Sequence, residues 1–347
     1  MELEKKLKGS FLSPYKIVKP YFEKQKPQTI EVHPSYPCNY NCEWCIDKTL
    51  KEIGVNKDSK SMMTKENVEE IIRFCKAQGV KGIIISGGGE PTLNKNTELL
   101  VKLAKENNIV IGLFTNGSML NSENIPTYIN SCSFIRFSFD DFSPESYAKT
   151  KGVPERYYDL VLNNISNCVA YKILSGNDKC RIGIDFILIP SNITKMVWIY
   201  EEALTLGVDY LQFCDCVEIG YEFTQRRKKE IRKGLKEVML HKKEIGDTQM
   251  DVVYEPIQME NYIPCGHCKV IDYIFQVGAD GGVRPCPHSA RRDDWLYGNI
   301  NEHSLEYIWT NRPTEKIDKE YLYENCRFKK QNEILFGLER ITHGEMI

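Results

Sequence analysis

The sequence predicts an α/β fold: six βα units whose parallel strands curl into a partial barrel, followed by a small cysteine-rich lobe. Three observations carry this. Apolar strand-like runs alternate with amphipathic helix patterns through the first two thirds of the chain. Polar and glycine-rich residues gather where those strands end, as in parallel barrels whose chemistry sits at that rim. The last third loses the alternation and is rich in Cys, Gly, Pro and aromatic residues. At 347 residues the chain is long enough for one barrel and an appendage.

Residues 1–28 read as an N-terminal extension. An apolar strand over Thr29–His33 then opens into a cysteine loop. Thr64 is placed to cap a helix carrying Val68, Ile71, Ile72 and Cys75 on one face and ending at Gly79. The strand Gly82–Ser86 and a helix around Leu99, Leu100 and Leu103 follow. Next come the strand Val110–Thr115, a short helix around Ile125–Ile129, and the strand Phe134–Phe139. A long helix bears Val161, Ile165, Cys168 and Val169 before the strand Arg181–Ile189, which Pro190 ends. Thr194 is expected to cap a helix to about Leu206, and Asp209–Cys214 reads as the sixth strand. Apolar strands in this order favour a parallel sheet covered by helices, and right-handed crossovers curl it. A helix over about Tyr221–Ile245 closes the barrel region, 29–246, and the lobe occupies 247–347.

The formal charge is −2, which gives no reason to expect a nucleic-acid partner. The basic stretch Arg226–Lys243 also carries Glu230 and Glu237 and reads as a solvated helix face. The first residues alternate in charge and no apolar run approaches a membrane span, so a cytoplasmic location and no membrane partner are expected. In a reducing compartment, 13 cysteines point to metal or cluster ligation rather than to a disulfide framework.

Cys38-x3-Cys42-x2-Cys45 places three thiols in one short loop. A short loop can wrap three corners of a four-iron cluster only if its thiolates lie this close, and three ligands leave one iron open for chemistry. Cys42-x2-Cys45 alone also fits half of a zinc site. The third cysteine and the aromatic Trp44 before the last one favour the cluster. One βα unit later, Ser86-Gly-Gly-Gly-Glu-Pro91 ends the second strand. Glycines there let a backbone approach a ligand, and a carboxylate can hold an ammonium. Such a turn is also common without a ligand.

Together these residues resemble the radical S-adenosylmethionine (radical SAM) superfamily, whose signature is CxxxCxxC with an aromatic before the third cysteine. Ser86–Pro91 is similar to the family's GGEP element, which implies that Gly88, Gly89 and Glu90 meet the methionyl amino group. Phe114-Thr-Asn-Gly117 ends the third strand as in many relatives, making Asn116 a cofactor-binding candidate. Arg136-Phe-Ser-Phe-Asp-Asp141 resembles the family's SxDG stretch, with Asp141 where glycine is usual, and Lys151-Gly152 the Arg-Gly element downstream. Ser138 and Asp140 are thereby candidates for the ribose and carboxylate region of S-adenosylmethionine. Equally, polar side chains at strand ends serve as helix caps. The resemblance implies a partial (β/α)6 radical SAM barrel. In it a 4Fe-4S cluster on Cys38, Cys42 and Cys45 cleaves S-adenosylmethionine, and the resulting 5′-deoxyadenosyl radical takes a hydrogen atom from substrate.

In the lobe, Cys265-x2-Cys268, Cys286 and Cys326 form a second group. Val277–Cys286 reads as a hairpin with an Asp-Gly turn that delivers Cys286 at a strand end. This stretch resembles the SPASM domain, which binds auxiliary iron–sulfur clusters. No cysteine follows Cys326, so the chain looks like the shortened twitch version with one auxiliary 4Fe-4S cluster. A structural zinc site, with His267 or His288 as a ligand, is the alternative. Cys75 and Cys168 read as core, and Cys132 and Cys180, before strands, as inert. Cys214 and Cys216 end the sixth strand on one face and are either packing residues or candidate hydrogen-atom donors.

The reaction expected is oxidation or epimerisation of a polar small molecule: a sugar, an aminocyclitol or a nucleotide-linked intermediate. An external electron donor such as flavodoxin or ferredoxin would serve it. Epimerisation or thioether crosslinking of a ribosomal peptide is the second reading, although too few residues precede Cys38 for the leader-binding domain common in such enzymes. A non-catalytic zinc or electron-transfer protein is the third, disfavoured by the open three-cysteine loop. Asp140, Asp141, Asp185 and Arg136 are polar groups expected near the barrel mouth.

Overall fold

The computed structural model describes residues 26–45, 60–216, 224–255, 268–289, 293–319, 328, 331–333 and 335. Among the described residues ten strands form one sheet, ordered β10-β9-β8-β1-β2-β3-β4-β5-β6-β7. The chain runs β1 (Thr29–Val32), α1 (Lys65–Gln78), β2 (Gly82–Ile85), α2 (Asn96–Glu106), β3 (Val110–Thr115) and α3 (Ile125–Ser131). It continues through β4 (Phe134–Ser138), α4 (Pro144–Lys151), α5 (Arg156–Leu174), β5 (Arg181–Leu188), α6 (Met196–Thr205), β6 (Tyr210–Asp215) and α7 (Gln225–Glu244). β7 (Asp251–Glu255), β8 (Ile274–Val277), β9 (Gly282–Arg284), β10 (Gly298–Asn299) and α8 (Leu305–Thr310) complete it.

The six expected strands are present and pair in parallel and in sequence order. The sheet does not stop at residue 246. β7 adds a seventh parallel strand beside β6, with Tyr210 opposite Asp251. At the other edge β8 pairs in parallel with β1, so the C-terminal hairpin extends the barrel wall. Tyr36, in the cysteine loop, donates its hydroxyl to Asp280 in that hairpin at 2.9 Å.

Strand alternation decides which residues pack and which face inward. Ile30, Val32, Ile83, Ile85, Ile111, Leu113, Ile135, Phe137, Ile182, Ile184, Leu211 and Phe213 join the buried faces of the helices in one core. Each such side chain contributes roughly 1.5–3 kcal/mol by leaving water. The alternate residues line the barrel. Near its base the wall is closed by rings lying on glycines: Phe134 on Gly112 and Tyr210 on Gly183, where any Cβ would collide.

Local sequence explains the helix ends. Thr64 and Asn67 form a reciprocal capping box at α1, and Gly79 ends that helix in the left-handed region at φ 72°. Thr194 does not cap α6. It lies inside a 3-10 turn, Ile193–Lys195, that precedes Met196. Asn192 takes the turn-forming role instead, its Oδ1 accepting from the Ile189 N–H at 2.8 Å. The basic α7 is amphipathic as expected, burying Ile231, Gly234 and Val238.

Candidate active site

The cysteine loop leaves the end of β1 and is held from two sides by backbone. On one side Glu90 N–H donates to Pro37 carbonyl at 3.0 Å. A Cβ on Gly89 would collide with the carbonyls of Tyr36 and Pro37, so only glycine lets the strand-two turn lie this close. On the other side the N–H groups of Asn41 and Glu43 donate to the carbonyls of Lys151 and Thr150 at 3.1 and 2.8 Å. Gly152 closes that contact, its φ of 63° being left-handed and its position abutting the Asn41 carbonyl. The Gly88–Glu90 and Lys151-Gly152 elements thus clamp the cysteines.

The thiols of Cys38, Cys42 and Cys45 share this loop. Burial of its sulfur pushes Cys38 up to about 12, opposed by the Tyr40 N–H and reinforced by Glu90 and the other two thiols. Burial also raises Cys42, and the Lys151 ammonium pulls it back. Among the described residues no three Cys, His, Asp or Glu side chains converge on the position of a single metal ion. A four-iron cluster instead takes its thiolates at separate corners, which suits three soft ligands on one loop. When bound, such a cluster supplies the electron that cleaves S-adenosylmethionine.

Glu90 is 2% exposed. Its Oε1 accepts from Thr115 Oγ1 at 2.6 Å, from Thr92 N–H at 3.0 Å and from the Thr92 hydroxyl. Its Oε2 accepts from Asn116 N–H at 2.8 Å. Burial raises its carboxyl against these donors. Asn116 also donates to Asn39 Oδ1 at 3.0 Å, and Asn39 donates to Ser118 Oγ at 2.8 Å. The third strand end is thereby tied to the loop through Asn39, a residue sequence reasoning missed because a lone Asn between cysteines carries no spacing signal.

Asp140 sits in the left-handed region at φ 61°, uncommon for a non-glycine residue. Its Oδ1 accepts from Ile187 N–H at 3.0 Å, and Oδ2 pairs with Lys151, whose side chain is 3% exposed. Burial works against the Lys151 charge, but Asp140, Cys42 and Tyr40 together outweigh it and raise the ammonium. Asp141 does what a cap does, accepting from Ser143 N–H and Ser146 hydroxyl at the start of α4. Ser138 is half-buried and lies opposite Asp185 in the β4–β5 pairing.

Deeper in the barrel, two polar patches line the wall. On β4–β6, Arg136 Nε donates to Tyr210 Oη at 3.3 Å and its guanidinium lies 4.6 Å from the Phe114 ring centre. Cys214 Sγ donates to Asp185 Oδ1 at 2.9 Å and accepts from Gln212 Nε2 at 3.2 Å. Burial and then the Asp185 carboxylate hold Cys214 well above its usual value, as a thiol. Cys216 lies just past the strand end and is buried. On β8 and β1, Glu31 accepts from His33 Nε2 at 3.2 Å and from Ser86 Oγ.

In the lobe Cys268 and Cys286 are both buried near Tyr297, whose hydroxyl is raised by burial and, to a smaller extent, by these two thiols. The hairpin has its turn before Gly281, φ 79°, and brings Cys286 two residues past β9. Cys265, Cys326 and His267 lie outside the described residues. Cys75, Cys132, Cys168 and Cys180 are buried in the core, where burial raises each thiol. No helix among the described residues is long and apolar enough to cross a membrane.

Comparison with known proteins agrees with this geometry. The model of the radical SAM superfamily matches residues 32–187, and that of the iron–sulfur cluster-binding SPASM domain matches residues 268–329. A tungsten-containing aldehyde ferredoxin oxidoreductase cofactor-modifying protein of Pyrococcus furiosus is 23% identical over 310 residues, 83% of each chain. A probable GTP 3′,8-cyclase of Methanocaldococcus jannaschii is 27% identical over 306 residues, 81% of this chain and 93% of its own. In fold, SuiB of Streptococcus suis with S-adenosylmethionine superposes at a TM-score of 0.65, with 14% identity, covering 87% of this chain and 70% of SuiB. AdoMet-bound anSMEcpe gives 0.63 at 18% identity, covering 87% and 80%. The chain joins a radical SAM domain, residues 32–187, to an iron–sulfur cluster-binding SPASM domain, residues 268–329, which is the make-up of a radical SAM enzyme.

Proposed function

We propose that this enzyme takes a hydrogen atom from a polar small molecule (a sugar, aminocyclitol or nucleotide-linked compound) and so oxidises or epimerises it. The carrying observation is the polar lining of the barrel. Strands covered by helices on one face and closed on the other are ordinarily apolar throughout. Here Glu31, His33, Arg136, Asp185 and Gln212 face inward on five neighbouring or facing strand positions. Two relatives aligned over most of their length bear names referring to a nucleotide and to an enzyme cofactor, which supports a small substrate.

In this reading Cys38, Cys42 and Cys45 hold the cluster, with Gly88, Gly89 and Glu90 at the methionyl end of S-adenosylmethionine and Asn116, Ser138 and Asp140 around the remainder. The Asp140–Lys151 pair sets the cysteine loop against α4 rather than meeting substrate. Cys265, Cys268, Cys286 and Cys326 hold one auxiliary cluster. An external donor of the flavodoxin or ferredoxin kind supplies electrons. Cys214, already donating its S–H toward a carboxylate, is the better placed of the two candidate hydrogen donors; Cys216 is buried past the strand.

Anaerobic reconstitution tests the assignment. About eight irons per chain are expected for two clusters and about four for one cluster with zinc. Dithionite should then convert S-adenosylmethionine to 5′-deoxyadenosine. Turnover in deuterated water separates the outcomes: deuterium at the product carbon that disappears in Cys214→Ala marks epimerisation, and two-electron oxidation that survives the change marks dehydrogenation. Tight zinc with no iron, or product found only on a peptide, refutes the proposal.

A further inference from the structure

We propose that His33 and Gln276, backed by Glu31, form the substrate-binding site in the barrel and that it takes a neutral edge presenting two hydrogen-bond donors beside one acceptor. The inference rests on the small-molecule reading above and deepens it. Glu31 and Gln276 are opposite each other on β1 and β8, and His33 lies two residues along from Glu31 on the same face. The alternate residues Ile30, Val32, Phe275 and Val277 belong to the core, so this trio faces the barrel interior.

Gln276 is 0% exposed, and among the described residues neither its amide nitrogen nor its amide oxygen has a partner. His33 is 5% exposed, with Nδ1 also unpartnered. Its other nitrogen faces Glu31 Oε1 at 3.2 Å, and the same oxygen takes the Ser86 hydroxyl. A carboxylate only accepts, so Nε2 carries the hydrogen and Nδ1 is left as a bare acceptor. Native proteins pair nearly all such buried groups, and three open positions on one patch are a stored demand for a ligand. The demand is specific. Gln276 Oε1 and His33 Nδ1 each require a donor, and Gln276 Nε2 requires an acceptor. None of these three positions adds a charge, and the charges beside them are answered, Glu31 by His33 and Ser86 and Arg284, opposite Gln276 on β9, by Asp280, so the edge that fits is neutral.

The patch lies at the strand ends on the β8–β1 wall: Glu31 and Gln276 are next to last in their strands, and His33 follows β1 by one residue. The residues assigned to S-adenosylmethionine end or follow β2, β3 and β4, so this wall is placed for substrate. Two sources share the required edge: a 2-amino lactam ring, as in guanosine, and an acetamido sugar, as in N-acetylglucosamine.

Calorimetry on the anaerobically reconstituted protein, with guanosine and N-acetylglucosamine as separate probes, tests this. One probe is expected to bind, and Gln276→Met and His33→Phe each to weaken it at least tenfold. Thermal unfolding without probe gives the second readout. Gln276→Met should leave the midpoint unchanged or raise it, because the amide makes no bond to lose. A lowered midpoint, no binding of either probe to the unmodified protein, or binding that survives both substitutions overturns the proposal. The radical reading is scored separately by 5′-deoxyadenosine formed in the unmodified protein, so the two can fail independently.

Discussion

The two sides of the barrel treat buried polarity in opposite ways. On β4–β6 Arg136, Tyr210, Gln212, Cys214 and Asp185 answer one another, and just beyond β4 the Asp140 carboxylate is matched by Lys151. On β8 and β1 the Gln276 amide and His33 Nδ1 are also buried and, among the described residues, unanswered. A satisfied network fixes geometry, and an unsatisfied one spends stability on recognition. Breaking the first should therefore cost stability, while relieving the second should not.

The largest contrast is expected at Lys151. Lys151→Met strands a buried Asp140 carboxylate and should lower unfolding stability in urea by about 3–5 kcal/mol. Adding Asp140→Asn should return a substantial part of that loss. A single variant as stable as the parent would mean that the pair holds nothing in place. Next is Gly89→Ala, where the new methyl group meets the Tyr36 and Pro37 carbonyls at the mouth between the two sides. Overpacking of this kind costs about 1–3 kcal/mol, and iron per chain after reconstitution should fall with it. Full iron loading would show that the loop can shift without harm.

Arg136→Met should cost about 2 kcal/mol, since it removes the ring contact with Phe114 and the bond to Tyr210 at a half-buried position. The smallest effect belongs to Cys214→Ala, about 1 kcal/mol from a lost donor to Asp185. Set beside Gln276→Met, this pair is the sharpest comparison. If both substitutions lower the thermal midpoint alike, the distinction between the two sides disappears.

Much of the barrel was legible. Val110–Thr115 occupies its expected bounds, four other strands end one residue sooner than expected, and the sixth is shifted by one residue at both ends, because apolar alternation flanked by turn residues marks strands well. β7 was not legible: Asp251-Val-Val-Tyr-Glu255 is short, and Val253 is exposed as on an edge strand. Thr194 misled because a good capping residue four positions from Pro190 was preceded by Asn192, a stronger former of the local turn. The clamp on the cysteine loop is carried by backbone contacts at Gly89 and Gly152, and a glycine in a sequence does not say what it approaches. The β8–β1 patch left a trace, since Glu31 and His33 interrupt a strand expected to be apolar on both faces. Gln276, far along the chain, gave no sign of lying beside them.

The parallel pairing of Thr29 with Ile274 has a consequence for how the molecule is made. On the ribosome, β1 emerges early, and the strand that covers its outer edge is synthesised only after all of β2 to β7. At typical elongation speeds the interval is on the order of ten seconds or more. During it, the nascent barrel displays a strand edge of open backbone groups, the kind of template on which other chains can add. Termination before the last hairpin would leave that edge uncovered for good. A prematurely stopped chain of this enzyme is thus a candidate client for chaperones and proteases, even with every residue of the first cysteine loop in place.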